Sequence, residues 1–336
     1  MDTTMKLPIA SSHDARQLFR MLEEILHKEQ EQWKLYNRNN FEQANMVTAG
    51  QRRETVRWFF QLNNHFGFYP ETFFLSTTML DKVLHSVKVR PRFLKCIGIT
   101  CFSLAAKTLE EDEVVPSTLQ FVQQSGCGCS VAEILRMERR VLDILGWNLR
   151  LITPLDFLHI LHASLLSSVP NLLSGLVHMT PGRQLSQLTR NLQAMLMNNN
   201  SLQFAPSVLA LAVITTELQQ FLPQWFTVTH IMQIHVQVSD EELIRCMDLV
   251  SLILSPCQLT TNSRVTKCKK RHRDESSAKK RRRAEPDDDD VYEAIKWLYH
   301  EEQSDAVSAV TMVTCSGEHR QDEVPAVMVA SLAVAN

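Results

Sequence analysis

The chain has 336 residues, of which 44% are hydrophobic and 21% are charged, and its net charge is −2. This balance excludes a protein built to coat nucleic acid, and the length predicts two domains with extensions rather than one small domain. Only 9 residues are Gly and 12 are Pro. That scarcity disfavours turn-rich β structures and phosphate-binding loops, so we expect a mostly helical protein.

Residues 1–50 predict one amphipathic helix followed by a linker. Over residues 13–37, apolar side chains recur at helical spacing among charged ones: Leu18, Leu22, Ile25, Trp33 and Tyr36. The polar stretch 37–48 predicts the linker. No basic segment followed by an apolar run opens the chain, and no run of about 18 apolar residues occurs. We therefore expect neither a secretory signal nor a membrane span.

Residues 51–150 predict a first bundle of five helices. These helices lie at about 51–66, 70–87, 91–110, from 116, and 130–146. Pro91 is placed at the first position of the third helix and Pro116 opens the fourth, because the N–H that Pro lacks has no helical partner at that position. Ser130 and Glu133 have the spacing of a capping box for the fifth helix.

Residues 151–256 repeat this plan. Five more helices are predicted at about 154–167, 183–198, 206–221, 223–236 and 240–254. Ser239 and Glu242 predict a second capping box at the last of them. Two successive sets of about 100 residues suggest an internal duplication.

Residues 257–336 differ from the rest of the chain, because their basic and acidic runs predict a mostly disordered tail. The basic run resembles a two-part nuclear import signal, whose residues are Lys269, Lys270, Arg271, Lys279, Lys280, Arg281, Arg282 and Arg283. The Asp287–Asp290 run would repel phosphates, so import is favoured over nucleic-acid contact. A short helix is predicted at 291–302 and could dock a partner, and an apolar run at 324–335 is too short to span a bilayer.

Signatures of catalysis are missing from the sequence. It contains no P-loop, no G-x-G-x-x-G, no G-x-S-x-G and no H-E-x-x-H. The triplet His272-Arg273-Asp274 matches a kinase catalytic motif by chance, since it lies in the basic run and no glycine-rich loop accompanies it. We therefore predict no catalytic residue, no cofactor and no enzyme activity.

Two small clusters could bind a metal, but a simpler interpretation is favoured for each. His159 and His162 share a helix face without a neighbouring Cys or acidic cluster, so they are interpreted as core or surface residues. Cys127 and Cys129 could hold a soft metal, but two thiolates do not complete a tetrahedral site. We interpret the eight scattered cysteines as reduced intracellular thiols, and predict no metal site.

Two charged residues interrupt apolar helix faces. Glu138 lies on the face that Ile134 and Val141 define, and Lys107 lies one turn beyond Leu104. A buried carboxylate without a partner costs several kcal/mol. The two opposite charges therefore suggest a pair at the bundle surface. It is either an internal salt bridge, or snorkelling by Lys107, or a pair presented to the backbone of another protein.

Several stretches, in matching order and spacing, resemble the cyclin box over residues 51–160. These are Gln51–Trp58, Leu80–Lys82, Ser103–Glu111, Ile134–Leu142 and Thr153–Leu158, with Ala205–Ala210 resembling part of the second cyclin fold. The resemblance covers about 15–255. The acidic run after Lys107 and the Asp-rich ending are similar to the G and I branch of the family, and to the cyclin I type most closely.

The resemblance implies two tandem five-helix folds that have no catalysis of their own. Such proteins bind a cyclin-dependent serine/threonine kinase and hold its mobile helix in the active position. The kinase-binding Lys and Glu of the family fall on Lys107 and Glu138, and its internal Arg–Asp pair falls on Arg52 and Asp81. We expect action in cell-cycle or cell-survival signalling, in nucleus and cytoplasm, without nucleic acid or membrane.

The chain departs from the family at the hydrophobic docking patch. Where Met, Ile and Leu precede a Trp in many cyclins, this chain has Gln51, Glu54 and Thr55, and only Trp58 remains. Arg57 replaces a common Asp and Cys96 a common Leu. We expect poor recruitment of hydrophobic-motif substrates, and kinase binding without strong activation is an open alternative. A second alternative is an adaptor that works without a kinase, in transcription or phosphatase recruitment.

Overall fold

The computed structural model describes residues 13–33, 46–169, 172–173 and 178–255. Throughout that part of the chain the regular elements are helices, and none of them is long and apolar enough to cross a membrane. The predicted import signal, the helix at 291–302 and the apolar run at 324–335 lie outside the described residues.

The described helices form two successive sets of five behind an N-terminal helix. Their bounds are α1 His13–Trp33, α2 Ala49–Phe66, α3 Pro70–Ser86, α4 Leu94–Leu109, α5 Thr118–Ser125, α6 Val131–Ile144, α7 Pro154–Ser168, α8 Pro181–Leu196, α9 Pro206–Phe221, α10 Trp225–Val236 and α11 Asp240–Leu254. Short 3₁₀ turns at Pro91–Phe93 and Asn199–Gln203 precede α4 and α9. The predicted all-α architecture is confirmed.

Local capping explains where several helices begin and end. At α6, Ser130 Oγ accepts a hydrogen bond from the Glu133 N–H at 3.2 Å, and Glu133 Oε2 accepts one from the Ser130 N–H at 2.6 Å. This is the predicted capping box. Gly146 follows the helix with a left-handed φ of 63°. At α11 only half of the predicted box is described, in which Ser239 Oγ accepts from the Glu242 N–H at 3.3 Å.

Five predicted helix starts were wrong by two or three residues, and the three that were placed at a proline came too early. Pro91 opens a 3₁₀ turn, in which the Phe93 N–H bonds to the Arg90 carbonyl at 3.1 Å, and α4 begins only at Leu94. Pro116 precedes the actual N-cap of α5, and Pro223 lies two residues before α10. Proline sets its own φ but does not by itself start an α-helix: α5 starts after the Ser117 cap, whereas α4 and α10 start without a side-chain cap.

The end of the predicted linker belongs to the first set of helices. Val47 is buried, and its N–H bonds to the Val89 carbonyl at 3.0 Å. The N-terminal helix is described only as far as Trp33, so the predicted extension to residue 37 and most of the linker at 37–48 lie outside the described residues.

The third helix of each set lies at its centre. In α4 the residues from Ile97 to Ala106 are all buried, and this helix packs on α3 and α6. In α9 the residues from Ser207 to Thr215 are all buried, and this helix packs on α7, α8, α10 and α11. Buried apolar side chains of both sets form one continuous cluster. The packing of α4 and α6 on this core fixes the positions of Lys107 and Glu138 at the surface.

Candidate functional site

Lys107 and Glu138 meet at the surface of the first set of helices. Lys107 lies in the last turn of α4, and its Nζ donates to Glu138 Oε1 on α6 at 2.6 Å, although 31 residues separate the two in sequence. The side chain of Lys107 is 40% exposed and that of Glu138 is 18% exposed. The two charges that interrupt apolar faces are therefore paired with one another and remain accessible from outside.

The position of Glu138 on α6 explains its intermediate exposure. Ile134 and Val141, one turn away on either side, are buried in the core, whereas Leu135 is 52% exposed. Glu138 therefore lies at the boundary between the packed face and the solvent face of α6. The carboxylate reaches Lys107 without entering the core, so the desolvation cost of a buried charge is avoided.

A groove lies between the N-terminal helix and the C-terminal end of α4. It has a volume of about 880 Å³ and includes Leu109, two residues beyond Lys107. Leu109 is 42% exposed, and the other wall of the groove contains Met21 and Ile25 of α1. The groove is partly apolar, and neither Lys107 nor Glu138 is among the residues that line it.

A second predicted pair, Arg52 and Asp81, is buried between the two sets of helices. Arg52 has no exposed surface. Its Nε donates to Asp81 Oδ1 at 2.8 Å, and its Nη2 donates to Asp81 Oδ2 at 2.6 Å. The same guanidinium donates from Nη1 to the Leu196 carbonyl at 2.7 Å, at the end of α8. Arg52 therefore joins α2, α3 and the second set of helices.

Comparison with known proteins identifies the family. A family model described as the cyclin N-terminal domain matches residues 20–150. Human Cyclin-I2 is 40% identical over 197 residues, which cover 59% of this chain and 53% of that protein. Cyclin-G1 of Bos taurus is 31% identical over 210 residues, which cover 62% of this chain and 69% of that protein. The chain belongs to the cyclin family.

The fold agrees with this assignment. The X-ray structure of a viral cyclin from herpesvirus saimiri matches with a TM-score of 0.55 at 16% identity, over 69% of this chain and 97% of that one. The predicted family and its G and I branch are confirmed. The match to human Cyclin-I2 spans about half of that relative's length.

The residues at the docking patch of this cyclin serve internal roles. Gln51 Oε1 accepts from the Thr48 N–H at 2.9 Å and so caps α2. Thr55 is buried, and its hydroxyl donates to the Gln51 carbonyl at 2.9 Å. Trp58 is half-buried and donates from Nε1 to the Ser125 carbonyl at 3.3 Å, whereas Glu54 is exposed. The patch therefore presents mainly polar groups beside one partly covered indole.

The histidines and cysteines singled out in the sequence lie in different surroundings. His162 is buried and its Nε2 lies 3.1 Å from Gln184 Oε1, and burial lowers its pKa. His159 is half-buried on the same helix. Cys127 and Cys129 lie close to Cys96 of α4. Among the described residues, no group of three or more His, Cys, Asp or Glu could hold a metal ion.

Glu29 of α1 was not anticipated from the sequence. It is 5% exposed, and its two carboxylate oxygens accept hydrogen bonds of 2.7 Å from the N–H and the hydroxyl of Ser207. Burial raises the pKa of Glu29 to about 7, against the opposing effect of these bonds. Glu29 lies two turns from Leu22 and one turn from Ile25, on the apolar face of α1. The interruption of that face was the available signal, as it was for Glu138.

Proposed function

We propose that this cyclin is a non-catalytic regulatory subunit that binds a cyclin-dependent serine/threonine kinase and stabilises the active position of the kinase's mobile helix. The observation that carries the proposal is the contact between Lys107 and Glu138 on the rim of the first set. An ammonium has three donors and a carboxylate has about four acceptor sites, and their mutual contact uses one of each. The pair retains hydrogen-bonding capacity for the backbone of a partner.

The energetics of the pair favour a role in binding over a role in folding. A solvent-accessible ion pair contributes about 0–1 kcal/mol to stability. The same charges become stronger partners when a bound protein excludes water from them. Substitution of Lys107 or Glu138 should therefore affect partner binding more than it affects folding.

Activation would follow from a population shift in the kinase. A kinase whose mobile helix is displaced lacks the Lys–Glu ion pair that its active site requires. A subunit that binds the active arrangement more tightly shifts the equilibrium toward it. To move a kinase from 1% to 99% active, this differential affinity must reach about 5.5 kcal/mol. The groove between α1 and α4 would add apolar contact area to that of the charged pair.

Co-purification tests this proposal. The tagged full chain is expressed in cells, and captured proteins are identified by mass spectrometry for the wild type and for Lys107→Ala and Glu138→Ala. We expect a cyclin-dependent kinase with the wild type and its loss with either variant. Glu241→Ala and Arg245→Ala remove matched exposed charges on α11 and should retain it. A kinase captured equally by all variants would contradict the proposal.

An alternative function is that of a cyclin-fold adaptor that acts without kinase activation, in transcription or phosphatase recruitment. The polar docking patch favours this alternative, because Gln51 and Thr55 are engaged within α2 and offer no apolar pocket. Under the adaptor hypothesis, the main captured partner stays bound when Lys107 is replaced.

We further propose that the basic run within 267–283 directs nuclear import and that the chain occurs in both nucleus and cytoplasm. Two basic clusters separated by a short polar stretch support binding to an import receptor. Replacing Lys279, Lys280 and Arg281 by Ala should shift a fluorescently tagged chain toward the cytoplasm. An unchanged distribution would contradict this proposal.

A further inference from the structure

Cysteines also lie close together near the N-terminal ends of α4 and α6, the helices that contribute Lys107 and Glu138. Cys96 lies in the first turn of α4, and Cys129 lies two residues before α6. The two side chains lie within interaction distance of one another. Lys107, in the last turn of α4, meets Glu138 near the middle of α6, so α4 and α6 run in the same direction. Lys107 is about 16 Å along α4 from Cys96, at a rise of about 1.5 Å per residue.

The loop before α6 brings a third thiol to the same place. The Cys129 backbone N lies 3.4 Å from Cys127 Sγ, and Cys129 Sγ lies 3.8 Å from the Cys127 carbonyl oxygen. The intervening Gly128 has a φ of 76°, a conformation that favours glycine. All three cysteines are free thiols. Cys96 and Cys127 are buried, whereas Cys129 is half-buried and so accessible to a small oxidant.

The surroundings of Cys129 favour its thiolate. The hydrogen bond from Cys96 lowers the pKa of Cys129 to about 7, assisted by Cys127 and by the positive charge of Lys95, while burial and the Glu133 carboxylate oppose this shift. The pKa of Cys96 is raised, because its thiol is the hydrogen-bond donor to Cys129 and because it is buried. Of the two neighbouring cysteines, Cys129 therefore ionises more readily than Cys96.

We propose that Cys129 is a site of oxidation by hydrogen peroxide and that Cys96 converts the oxidised form into a disulfide between α4 and the loop before α6. An accessible thiolate next to a second cysteine is the arrangement that redox-sensitive cysteines require. The other described cysteines, Cys101 and Cys246, are fully buried in the core, and burial raises the pKa of each thiol. Neither Cys101 nor Cys246 is therefore an accessible thiolate.

The reaction takes place in two balanced steps. The Cys129 thiolate attacks one oxygen of hydrogen peroxide, the O–O bond breaks, and hydroxide leaves and is protonated to water. Sulfur is oxidised to the sulfenic acid and peroxide is reduced. Cys96 sulfur then attacks Cys129 sulfur, so that an S–S bond forms and the S–O bond breaks. The departing hydroxide takes the Cys96 proton and leaves as a second water.

Cys96 rather than Cys127 is the expected second cysteine because of where each thiol is directed. The Cys96 thiol donates to Cys129 sulfur across two elements. Cys127 sulfur, which also interacts with the Cys129 side chain, is held within the same short loop because it accepts from the Cys129 backbone N–H. A Cys96–Cys129 bond would join α4 covalently to the start of α6.

Peptide mapping of the full chain after peroxide treatment tests the proposal. The protein is treated with hydrogen peroxide, blocked with iodoacetamide, digested without reduction and analysed by mass spectrometry. We expect a cross-linked Cys96–Cys129 peptide, with the loss of two hydrogen atoms, that disappears on reduction. In untreated protein near neutral pH, iodoacetamide should modify Cys129 before the other four described cysteines.

Three variants make the outcome decisive. Cys129→Ser should lose the cross-link, Cys96→Ser should accumulate a sulfenic acid that dimedone traps at Cys129, and the matched Cys127→Ser should still form the cross-link. A bond between Cys127 and Cys129, a bond from Cys129 to a tail cysteine, or an unmodified Cys129 would each overturn the proposal. The peptide map of the wild type shows which cysteines become cross-linked even if a variant fails to fold.

Discussion

The buried carboxylate of Glu29 should make the attachment of α1 depend on pH. Glu29 accepts two hydrogen bonds from Ser207 at the start of α9, with almost no exposed surface. Burial raises its pKa from the ordinary value of 4.5 to about 7. The folded protein therefore retains a proton on Glu29 over a range in which the unfolded chain has released it.

The difference between the pKa of Glu29 in the folded protein and in the unfolded chain determines how the free energy of unfolding changes with pH. Below about pH 4.5 both states are protonated, and the contribution of Glu29 to stability is fully present. As pH rises toward about 7, unfolding releases a proton, so the free energy of unfolding falls. A pKa raised from 4.5 to about 7 corresponds to a total loss of about 3 kcal/mol. Above that range both states are ionised and the contribution no longer changes.

Urea unfolding of Glu29→Gln measures this contribution. The amide can accept from the Ser207 N–H but cannot titrate. We expect the free energy of unfolding of the wild type to fall by about 2–3 kcal/mol relative to the variant between about pH 5 and about pH 8. Glu31→Gln, an exposed change on the same helix, should follow the wild type. Parallel profiles for the wild type and Glu29→Gln would refute the reasoning.

Two further substitutions test the packing that supports the site. Arg52→Ala leaves the Asp81 carboxylate buried without its partner, so urea unfolding should show a loss of about 3–5 kcal/mol, and a loss below about 1 kcal/mol would contradict this account. Ser130→Ala removes the hydroxyl half of the α6 capping box and should lower stability by about 1 kcal/mol, whereas a Tm equal to the wild type would show that the cap contributes little.

Local sequence signals predicted most helices of this cyclin because the residues that decide them are close neighbours. The Ser130–Glu133 box and the glycine after α6 act within one turn, and the structure contains both. The predicted starts of α4 and α5 are wrong because neither Pro91 nor Pro116 is the first residue of its α-helix. A 3₁₀ turn and a serine cap determine those starts instead.

Contacts between distant parts of the chain were predicted only where an unusual residue marked them. Glu138 and Lys107 stood out as charges on apolar faces, and the structure brings them together. The contact between Glu29 and Ser207 joins residues 178 apart, and that between Arg52 and Leu196 joins residues 144 apart. No local pattern specifies the partner in such cases, because it depends on how the two sets of helices pack.

The central claim is that Lys107 and Glu138 bind a cyclin-dependent kinase. Its most direct test is the dissociation constant of the purified full chain for the captured kinase, measured by titration calorimetry alongside the Tm of each protein. We predict that Lys107→Ala and Glu138→Ala each weaken binding about 30-fold or more, corresponding to a loss of about 2 kcal/mol or more. Stability should change by no more than about 1 kcal/mol. An unchanged dissociation constant in both variants would contradict the account.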